Sequence, residues 1–455
     1  MSTSPSQLIP GGNISRRAWL NACAASSLVT CSGWLESLAA HAAGDSQRKR
    51  SCILLWMNGG PSHLDTFDLK PGHENGGPFK PTSTTTPGIA ISEHLPTVAK
   101  WTDHMAIVRS MTSKEADHGR ATYMVRTGHP PEGVIQYPTL GSLLSNELGN
   151  DEAALPNFVS IAPYRTTNLA AYNSGFLGPR LAPFIIGDVS QAQAQQQTAD
   201  AYLKHLRVPD LQPAQAILPQ RAAQRMELFR DMEQRFAAGR ADVPVQSHQS
   251  AYERAVRMMG PESIRAFDLE AEPATLRDSY GRNLFGQGCL LARRLVERGV
   301  PFVEVSLGGI NSGGMGWDTH VNNFETVKRL SQVLDPAWAA LMSDLKDRGM
   351  LDSTLVVWMG EFGRTPHING TAGRDHYPLT WNAVLGGGGI NGGQVVGRTT
   401  ADGATVDDRP CLVPELLATI CAALGVDPHK TNPSNIGRPI HLVDYAAFPI
   451  AGVVR

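Results

Sequence analysis

Four short, largely apolar runs punctuate the chain. Residues 52 to 57 (Cys-Ile-Leu-Leu-Trp-Met) stop at Asn58-Gly59-Gly60-Pro61. A run without polar alternation that ends in turn residues predicts a strand buried on both faces, feeding a loop. Ala106 to Val108, Phe302 to Leu307 and Thr354 to Met359 predict three more strands, the last two again running into polar, glycine-containing sequence. Between them, Phe324, Val327, Leu330, Leu334, Trp338, Leu341 and Leu345 recur at spacings of three and four. That is the core-facing stripe of a helix of about 25 residues, closed by Lys346, Arg348 and Gly349. Helical patterns also cover 118–126, 213–240 and 276–299. Strands alternating with helices imply an α/β fold with a mainly parallel sheet, whose strand ends at the carboxyl edge are where function gathers.

Composition narrows the partners. The 455 residues are 42% hydrophobic, enough for one large domain, and carry a formal net charge of -2 with only 18% charged residues. No field of that size argues for nucleic acid or an anionic membrane, so small or neutral partners are expected. The first forty residues differ from the rest. Ser15-Arg16-Arg17-Ala18-Trp19-Leu20 precedes an Ala-, Ser- and Leu-rich stretch ending at Ala40-His41-Ala42. This resembles a twin-arginine export signal cleaved after Ala42. Residues 1–42 are therefore expected to be a signal peptide read by the twin-arginine translocase, too polar and short to persist as a membrane anchor. Residues 43–455 are expected to be a single domain with a helical insertion around 190–275, delivered to the periplasm or beyond. Four cysteines remain after cleavage, and Cys411 and Cys421 could pair or stay as buried thiols.

Four clusters concentrate His, Asp, Glu and Arg among glycines: Asn58-Gly-Gly-Pro-Ser-His-Leu-Asp65, Asp117-His-Gly-Arg120, Trp317-Asp-Thr-His320, and Gly360-Glu-Phe-Gly-Arg364 with Gly373-Arg-Asp-His376. Carboxylate oxygens and imidazole nitrogens converging from separate segments are what a divalent cation requires. Trp56, Trp317, Trp358 and Trp381 flank these clusters, either as core around the site or as a platform for a sugar.

The order and context of the clusters resemble the alkaline-phosphatase/sulfatase superfamily, and across residues 45–450 the chain resembles the domain of unknown function 1501 family. Its markers here are Asn58-Gly-Gly-Pro-Ser-His-Leu-Asp-Thr-Phe-Asp68, His118-Gly-Arg120 with Thr127-Gly-His-Pro-Pro131, Gly316-Trp-Asp-Thr-His320, Gly360-Glu-Phe-Gly-Arg-Thr-Pro366 and Gly373-Arg-Asp-His-Tyr-Pro378. The resemblance implies an alkaline-phosphatase-like three-layer α/β/α sandwich. It also implies an intact metal site of Asp318, His320 and His376, and an altered second, weaker one in which Asn58 and Glu361 could still give oxygen. The ion could be zinc, calcium, manganese or magnesium. Where the superfamily keeps its Ser, Thr or Cys nucleophile, ten residues before the glycine of a Thr-Gly pair, this chain has His118. A covalent seryl intermediate is thus not expected; His118 would be ligand, base or acceptor, with Ser62, Ser110 and Ser113 as nearby hydroxyls. Arg120, Arg364 and Arg374 are expected to clamp a phosphate or sulfate. The expected activity is metal-dependent hydrolysis of sulfate or phosphate esters, those on carbohydrate included, against the alternative of a non-catalytic, metal-stabilised binding protein.

Overall fold

A computed structural model describes residues 50–188, 201–211, 219–238, 252–308 and 314–455. The export segment with its Ala42 cleavage site, the Gln/Ala-rich stretch 190–200 and residues 240–250 lie outside the described residues. Strands β1 (Ser51–Met57), β2 (Met105–Thr112), β3 (Phe158–Ile161), β4 (Phe184–Ile186), β5 (Phe302–Leu307), β6 (Thr354–Met359), β7 (Trp381–Gly387), β8 (Gln394–Val396) and β9 (Cys411–Leu412) form one sheet. Their order is β8-β2-β7-β6-β1-β5-β3-β4, with β9 beside β2.

The sheet centre explains the uninterrupted apolar runs. β1 lies between β5 and β6, parallel to both, with Cys52 opposite Phe302 and Ser51 opposite Thr354. Successive side chains of a strand point to opposite faces. Ile53, Leu55 and Met57 accordingly join one core, and Cys52, Leu54 and Trp56 join a second on the other side. Helices α3 (Leu284–Glu297) and α4 (Asn323–Asp347) pack into the first core, while α2 (Leu140–Leu148) and α5 (Val413–Ala423) pack into the second. The result is the expected three-layer α/β/α architecture with a mainly parallel sheet. The exception is β7, antiparallel to both β6 and β2. The chain leaves β6 at its carboxyl end and enters β7 from that same edge, so no crossover intervenes. All of residues 360–380 is thereby held at the edge where the polar clusters meet.

Where the structure departs from the pattern, local chemistry accounts for it. The 276–299 stretch is two helices, Ala274–Ser279 and α3, separated by Gly281 at φ +85 and by Asn283, whose side chain accepts from Gly286 N and starts the second. The 213–240 stretch is helical over Pro219–Ala237, and the insertion region also contains helices Ala201–Leu206 and Pro261–Phe267. Among the described residues no helix is long and apolar enough to cross a membrane. Cys411 and Cys421 are both free and buried, as are Cys52 and Cys289. Ser110 Oγ donates to Cys411 Sγ at 3.6 Å, and burial pushes the Cys421 thiol up to about 12.

Candidate metal centre

Four stretches of chain meet at the carboxyl edge, and close backbone contact brings them there. After β1, Asn58 N donates to Leu307 O and Asn58 O accepts from Trp317 N. Gly59 lies at φ +109, and a Cβ there would fall 2.3 Å from Asp318 N. Only glycine lets the first loop approach the Asp318 segment so closely. A Cβ at Gly373 would fall 1.8 Å from His320 O, so a second glycine docks the 365–375 loop on the other side of the same segment. Arg374 N then donates to Thr319 O, and Asn369 Nδ2 and Thr371 Oγ1 both donate to His320 O.

His118 arrives on helix α1 (His118–Thr127), which follows β2. Asp117 caps this helix by accepting from Arg120 N, and Gly128 ends it in the left-handed conformation. His118 is thus fixed in the first turn with its ring over the sheet edge. His376 sits on a short ribbon in which His376–Tyr377 pairs antiparallel with Gly363–Arg364.

These elements converge on one atom, Asp318 Oδ1. His118 Nε2 lies 3.4 Å from it, His320 Nε2 3.1 Å and His376 Nε2 3.3 Å. One ligand atom each from His118, Asp318 and His376 lies within 4.8 Å of the others. Each imidazole is held from behind through its other nitrogen. His118 Nδ1 donates to Glu361 Oε1 at 2.7 Å, His320 Nδ1 to Asp375 Oδ1 at 2.7 Å, and His376 Nδ1 to Ala116 O at 2.8 Å. Phe362 packs against the rings of His118 and His376, at 4.8 and 4.9 Å between centroids, and closes the apolar side.

Charge at the centre follows from this crowding. Burial opposes protonation of His118, but the carboxylates of Asp318 and Glu361 beside it outweigh burial and push the imidazole up to about 9. Burial would raise Asp318, yet His118, His376 and Arg364 hold it well below the usual carboxylate range. A negative field that stabilises an imidazolium also stabilises a metal cation. His118 Nε2 and Glu361 Oε2 are buried side-chain atoms without a hydrogen-bond partner. Buried polar atoms are rarely left so, and the donor set fits a divalent cation.

The expected site residues fall into three groups. Asp318, His320, His376 and His118 come together. Glu361 and Asn58 stand behind them: Glu361 Oε1 accepts from His118 Nδ1 and from Gly59 N, while Asn58 contributes its backbone and keeps Nδ2 buried without a partner. The arginines are placed differently from the anion clamp read from sequence. Arg364 Nη2 donates to Asp318 Oδ1 at 2.6 Å and to Gly59 O, Nε to Gly60 O and Nη1 to Arg374 O, leaving one N–H unspent. Arg374 is fully buried and spends every N–H on Asp65, Thr365 O, Pro366 O and Asn75 O. Arg120 is bound by Glu115 and Glu132 at the surface. Arg374 thus has no donor left for a substrate anion, whereas Arg364 keeps one N–H and Arg120 both of those on Nη1.

Asp375 is the residue the sequence reading missed. Its signal was adjacency to His376 in Gly-Arg-Asp-His, and its hydrogen bond from His320 lowers its pKa. Trp56, Trp317, Trp358 and Trp381 are buried in the core and present no face for a sugar. Ser110 is taken by Cys411, Ser113 Oγ donates to Pro378 O at 3.5 Å, and Ser62 Oγ is buried without a partner.

His129, just beyond α1, stacks on Tyr137 at 3.7 Å and burial lowers its pKa to about 4. Between pH 6.5 and 4 the unfolded chain binds a proton that the folded chain refuses. This contribution is therefore intact above pH 6.5 and lost on acidification. Stability is expected to fall by about 2 kcal/mol from this group between pH 7 and pH 5. Urea midpoints of wild type and His129→Phe at the two pH values check it, since the variant should lose correspondingly less.

What the fold and the cluster define together is an α/β protein with an imidazole and carboxylate centre at the carboxyl edge of its sheet. The chain belongs to the family described as protein of unknown function (DUF1501), whose model matches residues 49–454. No curated protein matches the sequence. Among solved structures, the chain is similar to the C-terminal periplasmic domain of EcEptC from Escherichia coli, in complex with Zn, at 10% identity and a TM-score of 0.40 over 89% of this chain and 95% of that one. It is also similar to a protein in the alkaline phosphatase superfamily from Vibrio parahaemolyticus, at 11% identity and 0.40 over 86% and 74%. A third is the PsFucS1 sulfatase from Pseudoalteromonas sp., at 13% and 0.38 over 86% and 72%.

Proposed function

We propose that this chain is an exported, metal-dependent hydrolase of sulfate or phosphate esters, carbohydrate esters among them. The observation that carries the reading is the convergence of three imidazole Nε2 atoms on Asp318 Oδ1 at the carboxyl edge. A divalent cation held there by Asp318, His320, His376 and His118 would supply Lewis-acid activation of an ester and of water. Arg364 and the loop carbonyls it grips hold the Asp318 carboxylate in place. Glu361 keeps the His118 ring from turning, so Nε2 stays aimed at the cluster. No serine named above bonds to the cluster, so the reading uses water as the nucleophile. Export through the twin-arginine route, with the signal removed after Ala42, belongs to the same proposal.

The test is a panel of aryl phosphates and aryl sulfates with protein recovered after native export, assayed with and without chelator. Turnover that chelator abolishes and metal restores is expected, and His118→Ala should lower kcat/KM by about 100-fold or more. If a folded protein with bound metal turns over none of the panel, the non-catalytic, metal-stabilised binding protein becomes the better description. That second reading is favoured by one observation, the histidine at the position where the resemblance places a nucleophile.

A further inference from the structure

We propose that this chain carries a second ligand site, for a phosphate or sulfate group, at the amino edge of the sheet, where Arg180, Arg254 and Arg257 surround one cavity. The site goes beyond the hydrolase reading and shares no residue with the centre at Asp318.

The topology brings the three arginines together. Residues 150–157 run into β3 and residues 179–183 run into β4, and β4, β3, β5 and β1 are all parallel. Both stretches therefore lie where strands begin, at the edge opposite Asp318. The loop is shaped by its own amides: Asn150 N donates to Asn157 Oδ1 at 3.1 Å and Glu152 N to Asn150 Oδ1 at 3.0 Å. Arg254 and Arg257 come from the helical stretch 252–258, three residues apart and so on one face. Arg257 Nη2 donates to Asp151 O at 3.1 Å and Arg180 Nη1 donates to the Asp151 carboxylate, so one loop residue draws two guanidiniums in. With Asn150 and Glu253 they line a cavity of about 310 Å³.

This cluster is short of acceptors. Arg254 is part-buried and has no hydrogen-bond or ion-pair partner among the described residues. Burial, and then the charges of Arg257 and Arg180, lower its pKa against the opposing charge of Asp151. Arg257 Nε is buried without a hydrogen-bond partner, and its ion pair with Glu253 spans 3.8 Å. The Asp151 and Glu253 side chains are 67% and 68% exposed, so water screens their charge. A guanidinium held unpartnered beside two others is an arrangement that a bound anion relieves.

The number of guanidiniums selects the class of anion. Each planar fork can give two parallel N–H bonds to an oxyanion. A carboxylate offers two oxygens, whereas the phosphate or sulfate of a monoester offers three free ones, enough for three arginines. Donors are to spare, because Arg180 spends only Nη1 and Arg257 only Nη2 in hydrogen bonds. An adjoining groove of about 380 Å³, lined by Phe229, Tyr252 and Val256, shares Glu253 and Arg257 with the cavity. That groove gives room for the alcohol part of an ester.

The experiment uses the full chain, desalted from chelator, titrated by calorimetry at constant ionic strength with inorganic sulfate, inorganic phosphate, glucose 6-sulfate and glucose 6-phosphate. Binding at about one equivalent is expected, weakened by about 10-fold or more in Arg254→Gln and changed by less than about 2-fold in Asp318→Ala. Tighter binding of the glucose esters identifies an ester as the ligand, and equal binding identifies the free ion. Sulfate stabilises proteins in general by exclusion from their surface, so thermal melts take the variant as baseline. Because Arg254 has no partner to lose, Arg254→Gln should melt no lower than wild type without added anion, yet gain less from phosphate and sulfate. The site is overturned if no probe binds, if Arg254→Gln binds them as tightly as wild type, or if Asp318→Ala abolishes binding, which would place the anion at the metal centre.

Discussion

Asp318→Ala is expected to empty the centre: metal retained after desalting should fall from about one equivalent to near zero, and turnover should fall to the chelated background. No other single change should act so strongly, because Asp318 Oδ1 is the atom shared by every element of the site. Three imidazoles point Nε2 at it, and Arg364 Nη2 donates to it at 2.6 Å. Without the carboxylate, the charge of the buried Arg364 guanidinium stands uncompensated beside the three rings and repels a cation. The fold itself should survive. Arg364 retains the carbonyls of Gly59, Gly60 and Arg374, so the loss in stability is about 1–3 kcal/mol. Asp318→Asn separates charge from shape: it can still accept from Arg364 but carries no charge, and it should bind metal weakly and turn over slowly. Elemental analysis with thermal melts checks both variants. Metal retained at one equivalent by the alanine variant would refute the centre.

The strands that build this edge are legible in the sequence because they are buried on both faces. Cys52 to Met57 and Thr354 to Met359 feed two separate cores with alternate residues, so apolar side chains are needed at nearly every position. Short strands offer no such run, and Phe158–Ile161, Phe184–Ile186 and Gln394–Val396 pass for loop. Trp381–Gly387 is hidden by its glycines, one of which lies where a Cβ would meet Met105. The polar clusters are legible as chemistry but not as roles. Gly373-Arg-Asp-His376 has three candidate side chains in a row, and neighbours along an extended segment point to opposite sides. Arg374 turns inward to Asp65 and is fully buried, whereas Asp375 turns outward to His320. Sequence alone does not say which is which, and the reading of Arg374 as an anion clamp fails on that point. The position of His118 is similar: a histidine there can be read as ligand, base or acceptor, and the sequence does not show that Glu361 holds its Nδ1 so that Nε2 faces the cluster.

The largest effect on stability should come from beneath the centre. Arg126, near the end of α1, and Glu304, in the middle of β5, are both buried and meet in a double hydrogen bond of 2.5 and 3.0 Å. Ser160 Oγ donates to the same Glu304, and the guanidinium lies 4.3 Å from the Trp56 ring centroid and 4.0 Å from that of Tyr172. Glu304→Leu leaves that guanidinium without a counter-charge between two aromatic rings, and a single deletion from a buried pair costs about 3–5 kcal/mol. The double variant Glu304→Leu with Arg126→Met removes both charges and should recover most of the loss, since two hydrophobic side chains of similar volume need no partner. Urea unfolding of the two single variants and the double variant gives the coupling energy directly. The pair also anchors the helix that carries His118. Tyr172 closes a segment whose Asn168 Nδ2 donates to Gly119 O, so the ring stacked on Arg126 and the loop beside His118 are one piece of chain. Arg126→Met should therefore weaken metal retention as well as the fold, whereas the double variant should restore stability more fully than metal affinity, because the helix is held again but by a non-directional contact. A Glu304→Leu cost below about 1 kcal/mol would show that the ion pair does not hold α1 to the sheet.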